Sequence, residues 1–287
     1  MASTRNEPGG KLYLVSLPIG HRSDITLRAI KTLRDVDFIV AEDTRTTRPL
    51  LEYYQIRTPL HSSLYRGVEG RREAGILKLL EEGSDVALVS DAGTPLVSDP
   101  GFSLVHDAIS SGFTVIPVPG PSAVLAAITG SGLPAERFCF EGMLTGRKAE
   151  RQGFMERIRD EPRSIIVYES CHRILATLEA LCAAFPDRRI VVARELTKCH
   201  EEFLRGTASE VYAALAARGR PRGEFVLVIA GVSVASKPVD LDAAAQLVEM
   251  LKKENVSSQS MVRALTLALN MPRNEAYAFV QRISSAD

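Results

Sequence analysis

Residues 90–101, SDAGTPLVSDPG, bring glycine, proline, serine and aspartate together in one segment. The segment follows the apolar run DVALV, which is typical of a buried strand, and precedes apolar residues at helical spacing. A link between a strand and a helix usually needs only a few residues. Because glycine and serine let other groups approach the main chain, this longer loop is suited to hold a ligand through backbone N–H and C=O groups.

Loops of similar composition follow other apolar runs, at SLPIGHRSD (16–24), AEDTRTTR (41–48) and PVPGPSA (117–123). One such loop is explained equally well as a turn that needs glycine and proline for its geometry. Several at the carboxyl edge of one parallel sheet favour a ligand site, because ligands bind at that edge in open α/β folds.

The common nucleotide and metal motifs are absent from the sequence. It contains no GxGxxG, GxxxxGK[ST], HExxH, GxSxG or CxxC pattern. The five histidines are scattered, and each is better explained as a surface or capping residue than as a metal ligand.

Strand and helix patterns alternate along the chain, which predicts a parallel α/β sheet with helices on both faces. The helix pattern SDITLRAIKTLRDV offers Ser23 as its N-cap. After GLPAE the alternation starts again, so we expect two α/β domains, at 11–134 and 135–231. Beyond a short linker at 232–240 only helices are indicated. This C-terminal helical domain, 240–287, could be a helix-turn-helix or a packing or ribosome-docking appendage.

The composition is that of a globular enzyme, with 45% hydrophobic residues and 35 basic residues balancing 35 acidic ones. A neutral chain does not predict a uniformly positive surface, but it can carry local basic patches for nucleic acid. Four cysteines without close spacing, no apolar signal core and no long apolar run predict a cytoplasmic protein with free thiols. The local basic groups are Arg66, Arg71 and Arg72; Arg147, Lys148 and Arg151; and Arg218, Arg220 and Arg222.

Seven motifs together resemble those of a known family. They are LPIGHRSDIT, VDFIVAEDTRTTRPLL, LVSDAGTPLVSDPG, VPGPSAVLAAITGSGLP, VYESCHRI, ARELTKCHEEFLRGT and GEFVLVIAG. In this order, from about residue 11 to 231, they resemble the tetrapyrrole methylase superfamily and, within it, the ribosomal RNA small subunit methyltransferase I family. Two residues depart from the family pattern: His21 stands where Asn is usual, and Cys171 where Pro is usual.

The resemblance implies an α/β fold of two αβα domains with a cleft between them, plus a small C-terminal helical domain. It implies S-adenosylmethionine as methyl donor, no metal, and transfer to the 2'-hydroxyl of a cytidine (position 1402) in 16S rRNA. The implied partners are the small ribosomal subunit and a second copy of the chain in a homodimer, with no membrane. The donor-binding residues implied are Ile19, Gly93, Thr94, Pro95, Val97, Ser122, Ala123, Glu169 and Glu224, the last following Gly223.

A ribose hydroxyl is a poor nucleophile at neutral pH, so a general base should assist the transfer. The loops expected to face the cleft offer Glu42, Asp43, Lys198 and Glu201 for this role. Asp43 is also a good helix N-cap, and Lys198 could be a solvated surface charge. The arginines that could bind RNA phosphate, or pair with local acids, are Arg45, Arg48, Arg218, Arg220 and Arg222.

Two other classes of function stay open at this point. One is a different methyltransferase on the same fold, acting on a porphyrinoid or of the diphthine synthase type. AEDTR and the C-terminal helices argue against both. The other is a non-catalytic module that binds RNA or senses the donor.

Overall fold

The computed structural model describes residues 9–64, 69–144, 146–232, 241–254, 256–269, 271 and 273–284, apart from the side chains of residues 69 and 71. The chain divides into two compact units, Met1–Gly231 and Val232–Asp287. Arg66, the side chain of Arg71 and most of the predicted linker at 232–240 lie outside the described residues.

The first sheet is parallel throughout, in the order β3-β2-β4-β1-β5. Its strands are β1 (Lys11–Val15), β2 (Phe38–Ala41), β3 (Leu60–Ser63), β4 (Val86–Val89) and β5 (Thr114–Val118). The helices between and after them are α1 (Leu27–Asp35), α2 (Thr44–Tyr53), α3 (Glu69–Glu81), α4 (Phe102–Ser110) and α5 (Ala123–Ser131).

Strand β4 shows how this sheet is covered on both faces. Val86 and Leu88 pack into a core with α3 and α4, whereas Ala87 and Val89 pack into a core with α1 and α2. Because successive side chains of a strand point to opposite faces, an all-apolar strand is buried on both sides. The parallel arrangement brings the loops after β1, β2, β4 and β5 to one edge of the sheet.

The second sheet is mixed, in the order β6-β7-β10-β8-β9. Its strands are β6 (Phe138–Met143), β7 (Ser164–Ser170), β8 (Arg189–Arg194), β9 (Glu202–Thr207) and β10 (Glu224–Ile229). Only β6 and β7 are parallel among the described strands of this sheet; the other pairs are antiparallel. The helices α6 (Lys148–Ile158), α7 (Ile174–Ala184) and α8 (Ala208–Ala216) share one core with it.

Helix α5 connects the two sheets. It follows β5 in the chain, but Val124, Ala127 and Ile128 share a buried core with β7, β8 and β10 of the second sheet. Residues 9–231 therefore contain two sheets within one compact unit. The α/β fold class predicted from the sequence is confirmed, whereas a domain boundary near residue 134 stays a prediction.

Three local predictions differ from the structure. The sequence pattern missed β3 (LHSS) and β9 (EFLRGT), which carry few apolar residues. The repeated strand–helix pattern fails at β8, because residues 195–201 turn directly into antiparallel β9 without a crossover helix. Ser23 lies in a short 3-10 turn, and α1 is capped instead by Thr26, whose Oγ1 accepts a hydrogen bond from Ala29 N at 3.0 Å.

The second unit consists, in its described part, of α9 (Leu241–Lys253), α10 (Ser258–Leu269) and α11 (Arg273–Ser284). Ala244, Val248, Leu265, Ala276 and Val280 form its core. Searching the described residues for a helix of membrane-spanning length and hydrophobicity finds none.

Two glycines, Gly10 and Gly75, give a matched test of the packing around the first sheet. At Gly10, just before the internal strand β1, a Cβ atom would lie 1.7 Å from the main-chain oxygen of Ser84. We expect Gly10→Ala to destabilise the protein by at least the roughly 1–3 kcal/mol typical of overpacking. At Gly75 in α3 a Cβ atom meets nothing within 4 Å, so Gly75→Ala should stabilise by about 0.5–1 kcal/mol.

The measurement is the urea concentration at the midpoint of unfolding. The variants are compared at an equal slope of unfolding free energy against urea concentration. Equal midpoints for Gly10→Ala and the parent chain would show that the loop before β1 can move away from Ser84.

Candidate functional site

The loops after β1 and β4 are paired through their backbones. Leu17 N donates to Gly93 O at 2.9 Å, and Gly93 N donates to Leu17 O at 3.0 Å, which makes a two-residue antiparallel bridge. Gly93 has φ +73°, and a Cβ atom there would lie 3.3 Å from Ile19 Cγ2. The pairing therefore fixes the main chain of both loops at the sheet edge and favours glycine at this position.

Thr94 ties a third loop to this pair. Its hydroxyl accepts a hydrogen bond from Ser16 Oγ at 3.1 Å and donates to Pro121 O at 3.2 Å. Ser16 follows β1, and Pro121 follows β5. One hydroxyl group thus joins the loops after β1, β4 and β5.

Backbone strain is concentrated in two loops. Leu96 and Ser98 after β4, and Glu195 and Thr197 after β8, are non-glycine residues with φ between +50° and +75°. Residues held in such conformations cluster at ligand-binding and catalytic sites, where the surrounding structure stabilises them.

The loop after β8 closes against the loop after β1. A Cβ atom at Gly20 would lie 2.6 Å from Lys198 Cγ, and Thr197 Oγ1 accepts a hydrogen bond from His21 N at 3.0 Å. The same loop is fixed to β10, because Glu195 accepts a hydrogen bond from Glu224 N at 2.9 Å. These contacts bring the edges of the two sheets together.

A mainly apolar cavity of about 360 Å³ lies between these loops and the second sheet; we call it the cleft. Its first wall comes from loops of the first sheet, and its second wall comes from β7, β10 and the loop after β8. The lining residues are Ile19, Ala92, Gly93, Thr94, Val97, Asp99, Ser122, Ala123, Met143, Tyr168, Glu169, Ser170, Cys171, Leu196, Gly223, Glu224, Phe225 and Val226.

Eight of the nine residues expected to bind a donor line the cleft: Ile19, Gly93, Thr94, Val97, Ser122, Ala123, Glu169 and Glu224. Pro95 is buried beside Thr94 and is not part of the lining. The carboxylate of Glu169 is fully buried and accepts hydrogen bonds from Arg173 Nε at 2.9 Å and Thr177 Oγ1 at 2.7 Å. Glu169 therefore fastens α7 to the wall of the cleft.

The sequence reasoning missed polar groups of the second wall. Burial raises the pKa of Tyr168 to about 12, and its ring packs edge-on against Phe140. The Ser170 hydroxyl is buried and has no hydrogen-bond partner among the described residues. Both follow the apolar start of β7 at a strand end, which is the signal that could have indicated them.

The AEDTR carboxylates lie outside the cleft lining. Glu42, Asp43 and Arg45 line a separate shallow cavity with Asp91. Asp43 caps α2 by accepting from Arg45 N at 2.8 Å, and its carboxylate pairs with the Arg45 guanidinium at 2.6 Å. These bonds lower the pKa of Asp43 to about 2, so it is a weak proton acceptor.

The other two candidate bases are also held by neighbours. Lys198 Nζ contacts Glu195 at 3.0 Å and Glu224 at 2.9 Å. Burial alone would lower the pKa of Lys198, but the bonds to both carboxylates outweigh it and raise the pKa, so the amine stays protonated. Glu201 accepts a hydrogen bond from Thr197 N at 2.7 Å and supports the strained loop.

The arginines expected to meet RNA lie in several places. Arg45 is paired with Asp43, and Arg48 lines a polar cavity with Arg72 and His61. Arg218 is bound by both oxygens of Glu202, at 2.6 and 2.8 Å. Arg220, whose Nη2 lies 3.4 Å from His172 Nδ1, and Arg222 are exposed in the loop that leads into Gly223 at the cleft.

The family model of the tetrapyrrole (corrin/porphyrin) methylases matches residues 11–212. Among solved structures, a uroporphyrin-III C-methyltransferase from Thermus thermophilus complexed with S-adenosyl homocysteine aligns with 77% of this chain and 97% of its own, at TM-score 0.54 and 19% identity. The chain therefore belongs to the tetrapyrrole (corrin/porphyrin) methylase family.

Sequence relatives indicate which group within this family the chain resembles. A ribosomal RNA small subunit methyltransferase I of Synechocystis is 43% identical over 93% of this chain and 96% of the relative. The Thermotoga maritima protein of the same name is 46% identical over 77% of this chain and 99% of the relative. These likenesses confirm the resemblance to ribosomal RNA small subunit methyltransferase I that the motifs indicated.

The hydroxyl of Thr94 can be tested by removing it alone. Thr94→Val keeps the volume of the side chain but removes both hydrogen bonds. We expect the free energy of unfolding to fall by roughly 0.5–1.5 kcal/mol for each bond. Thr129→Val is the matched control, because the Thr129 hydroxyl is exposed and bonds within α5. Hydrogen exchange at the backbone amides of Leu17 and Gly93 should become faster in Thr94→Val and not in Thr129→Val. Equal exchange rates in both variants would show that the Thr94 hydroxyl does not hold the loops.

Proposed function

We propose that this protein transfers a methyl group from S-adenosylmethionine to the 2'-hydroxyl of a cytidine in 16S rRNA of the small ribosomal subunit. The observation that carries the proposal is the cleft, whose wall gathers the loops after β1, β4 and β5 in a chain that belongs to a methylase family. The names of the relatives support ribosomal RNA of the small subunit as substrate. The sequence resemblance supports the cytidine, its 2'-hydroxyl, a cytoplasmic setting and a homodimer.

The cleft fits the methyl donor. Its volume lies in the range of small-molecule sites, and an apolar lining with a few polar groups is typical of them. Gly93 brings main chain to the wall, and the Ser170 hydroxyl and Asp99 add polar groups there. The donor supplies a methyl group on a positively charged sulfur. In the related structure named above, a product form of this donor is bound.

The chain's contribution is chiefly positioning. The bridged loops and the second wall hold one reactant rigidly, and good orientation of two reactants can supply on the order of 7–11 kcal/mol of the barrier. The sulfur leaves as a neutral thioether, so the reaction requires no metal. A base that takes the hydroxyl proton would add about 10²–10⁴-fold.

The alternatives of the same fold differ in their methyl acceptor. A porphyrinoid or diphthine-type enzyme would methylate a carbon of a macrocycle or a protein side chain, and a non-catalytic module would bind donor without transfer. The sequence relatives favour RNA, because the Synechocystis protein matches 93% of this chain at 43% identity and the Thermotoga maritima protein matches 77% at 46%.

The decisive experiment uses the full chain with labelled S-adenosylmethionine and small subunits that lack this modification. We expect label in a nuclease-resistant 2'-O-methylcytidine dinucleotide, and calorimetry should show donor binding without RNA. Ala123→Trp should abolish both by filling the cleft, because Ala123 lines it. Leu125→Trp is the matched control, since Leu125 is 52% exposed on the same helix.

Label in a porphyrinoid or a protein acceptor would replace this proposal with one of the alternatives. Donor binding with no label in any acceptor would support the non-catalytic module.

The arginine loop predicts a salt dependence. Two phosphate contacts by Arg220 and Arg222 would contribute about 1.4 to the slope of log K against log salt, at roughly 0.7 per contact on single strands. We expect Arg220→Gln with Arg222→Gln to flatten the slope by that amount and to spare donor binding. Arg218→Gln is the control, because Arg218 is already paired with Glu202. An unchanged slope in the double variant would direct the search to Arg147, Lys148 and Arg151.

A further inference from the structure

A second, polar cavity adjoins the cleft. It encloses about 280 Å³ and shares Ile19, Ala92 and Glu224 with the cleft lining. Its remaining wall comes from the loop after β1, from α2 and from two charged residues of other loops: Leu17, Pro18, Gly20, Arg22, Thr46, Thr47, Pro49, Leu50, Asp91 and Lys198.

The lining of this polar cavity differs in chemistry from that of the cleft. Arg22 and Lys198 are cations, Asp91 and Glu224 are acids, and Thr46 carries a hydroxyl. Such groups suit a polar ligand better than an apolar one. The volume is close to that of one nucleotide, and RNA is read in sequence mostly as single, splayed-out bases.

Buried hydroxyls without a partner mark both cavities. Among the described residues, Thr47 Oγ1 and Ser170 Oγ are the two buried side-chain atoms with no hydrogen bond. Ser170 lies in the wall of the cleft, and Thr47 lies in the wall of the polar cavity. Unsatisfied buried groups are uncommon in folded proteins, and functional sites are one place where they are tolerated.

Asp91 lies beside the junction of the two cavities. It directly precedes Ala92, which lines both the cleft and the polar cavity, and it lines the polar cavity itself. Asp91 Oδ1 accepts a hydrogen bond from Asp43 N at 3.0 Å, which orients the carboxylate. Glu224 is the acid that lines both cavities, but its side chain is 79% exposed and is bound by Lys198 at 2.9 Å.

We propose that the polar cavity seats the acceptor nucleotide and that Asp91 takes the proton of its hydroxyl. The inference rests on the proposed function and adds to it the place of the acceptor and the identity of the base. Asp91 was not among the bases expected from the sequence. Of the four that were, Glu42 and Asp43 line neither the cleft nor the polar cavity, and Lys198 and Glu201 are held by other partners.

The hydroxyl oxygen forms a bond to the methyl carbon while the bond from that carbon to sulfur breaks, and its electron pair stays on the sulfur. The hydroxyl proton passes to the Asp91 carboxylate, which later releases it to water. The donor becomes a neutral thioether, and nothing is oxidised or reduced.

The surroundings of Asp91 suit this role. Asp91 is exposed, but neighbouring groups still desolvate its carboxyl and thereby raise its pKa. The negative charge of Asp43 adds to the rise, whereas the bond from Asp43 N and the charge of Arg45 oppose it. A higher pKa makes a carboxylate a stronger base. The charged groups that share the two cavities lined by Asp91 are Glu42, Asp43, Arg45, Arg22, Lys198 and Glu224.

The test compares Asp91→Asn with the wild-type protein on small subunits. The asparagine carbonyl can still accept the bond from Asp43 N, so the loop should keep its structure. We expect turnover to fall by about 10²–10⁴-fold, the acidic limb of the pH–rate profile to disappear, and donor affinity to stay the same. Thermal melting at pH 7 should not fall, because a raised acid pKa means that the ionised form is disfavoured in the folded state.

Asp107→Asn, on the exposed face of α4, is the matched control and should behave as the wild type. Thr46→Trp fills the polar cavity but not the cleft, so it should lose transfer and retain donor binding. Near-normal turnover in Asp91→Asn would overturn Asp91 as the base. So would a pH–rate profile whose acidic limb persists in Asp91→Asn and disappears in Glu224→Gln. Near-normal transfer by Thr46→Trp would overturn the seat of the nucleotide. A wild-type protein that methylates no small subunit would instead overturn the proposed function, and this inference with it.

Discussion

The two hydrogen bonds between Leu17 and Gly93 hold the first wall of the cleft in place. They join loops that follow neighbouring strands β1 and β4, and the Thr94 hydroxyl extends the connection to the loop after β5. Because Gly93 has a positive φ and lies close to Ile19, a larger residue would be strained there. Backbone groups fixed in this way need little reorganisation when a ligand binds.

The second wall depends on helix α5. The helix starts directly after the loop that Thr94 contacts, and its buried face packs on the second sheet. The first wall is therefore connected to the second through a rigid element rather than through a flexible linker. Orientation of two reactants requires such rigidity, since small displacements weaken orientation effects strongly.

Charge is distributed differently over the two adjoining cavities. The cleft is mainly apolar, whereas the polar cavity carries Arg22, Lys198, Asp91 and Glu224. The bonds of Lys198 to Glu195 and Glu224 neutralise part of this charge and support the strained loop after β8. The same bonds raise the pKa of Lys198 and keep its amine protonated, so Lys198 does not act as a proton acceptor.

The sequence by itself determined the α/β class and the segments that form the cleft, because the ends of parallel strands converge at one sheet edge whatever their loops contain. SDAGTP and PGPSA are local patterns, and eight of the nine residues that the family resemblance implied for donor binding line one cavity. Only the tertiary structure decided four other features: the antiparallel turn into β9, the packing of α5 on the second sheet, the pairing of Lys198 and the position of Asp91. Each depends on residues far apart in the chain, and local periodicity and composition carry no information about which distant partner a side chain meets.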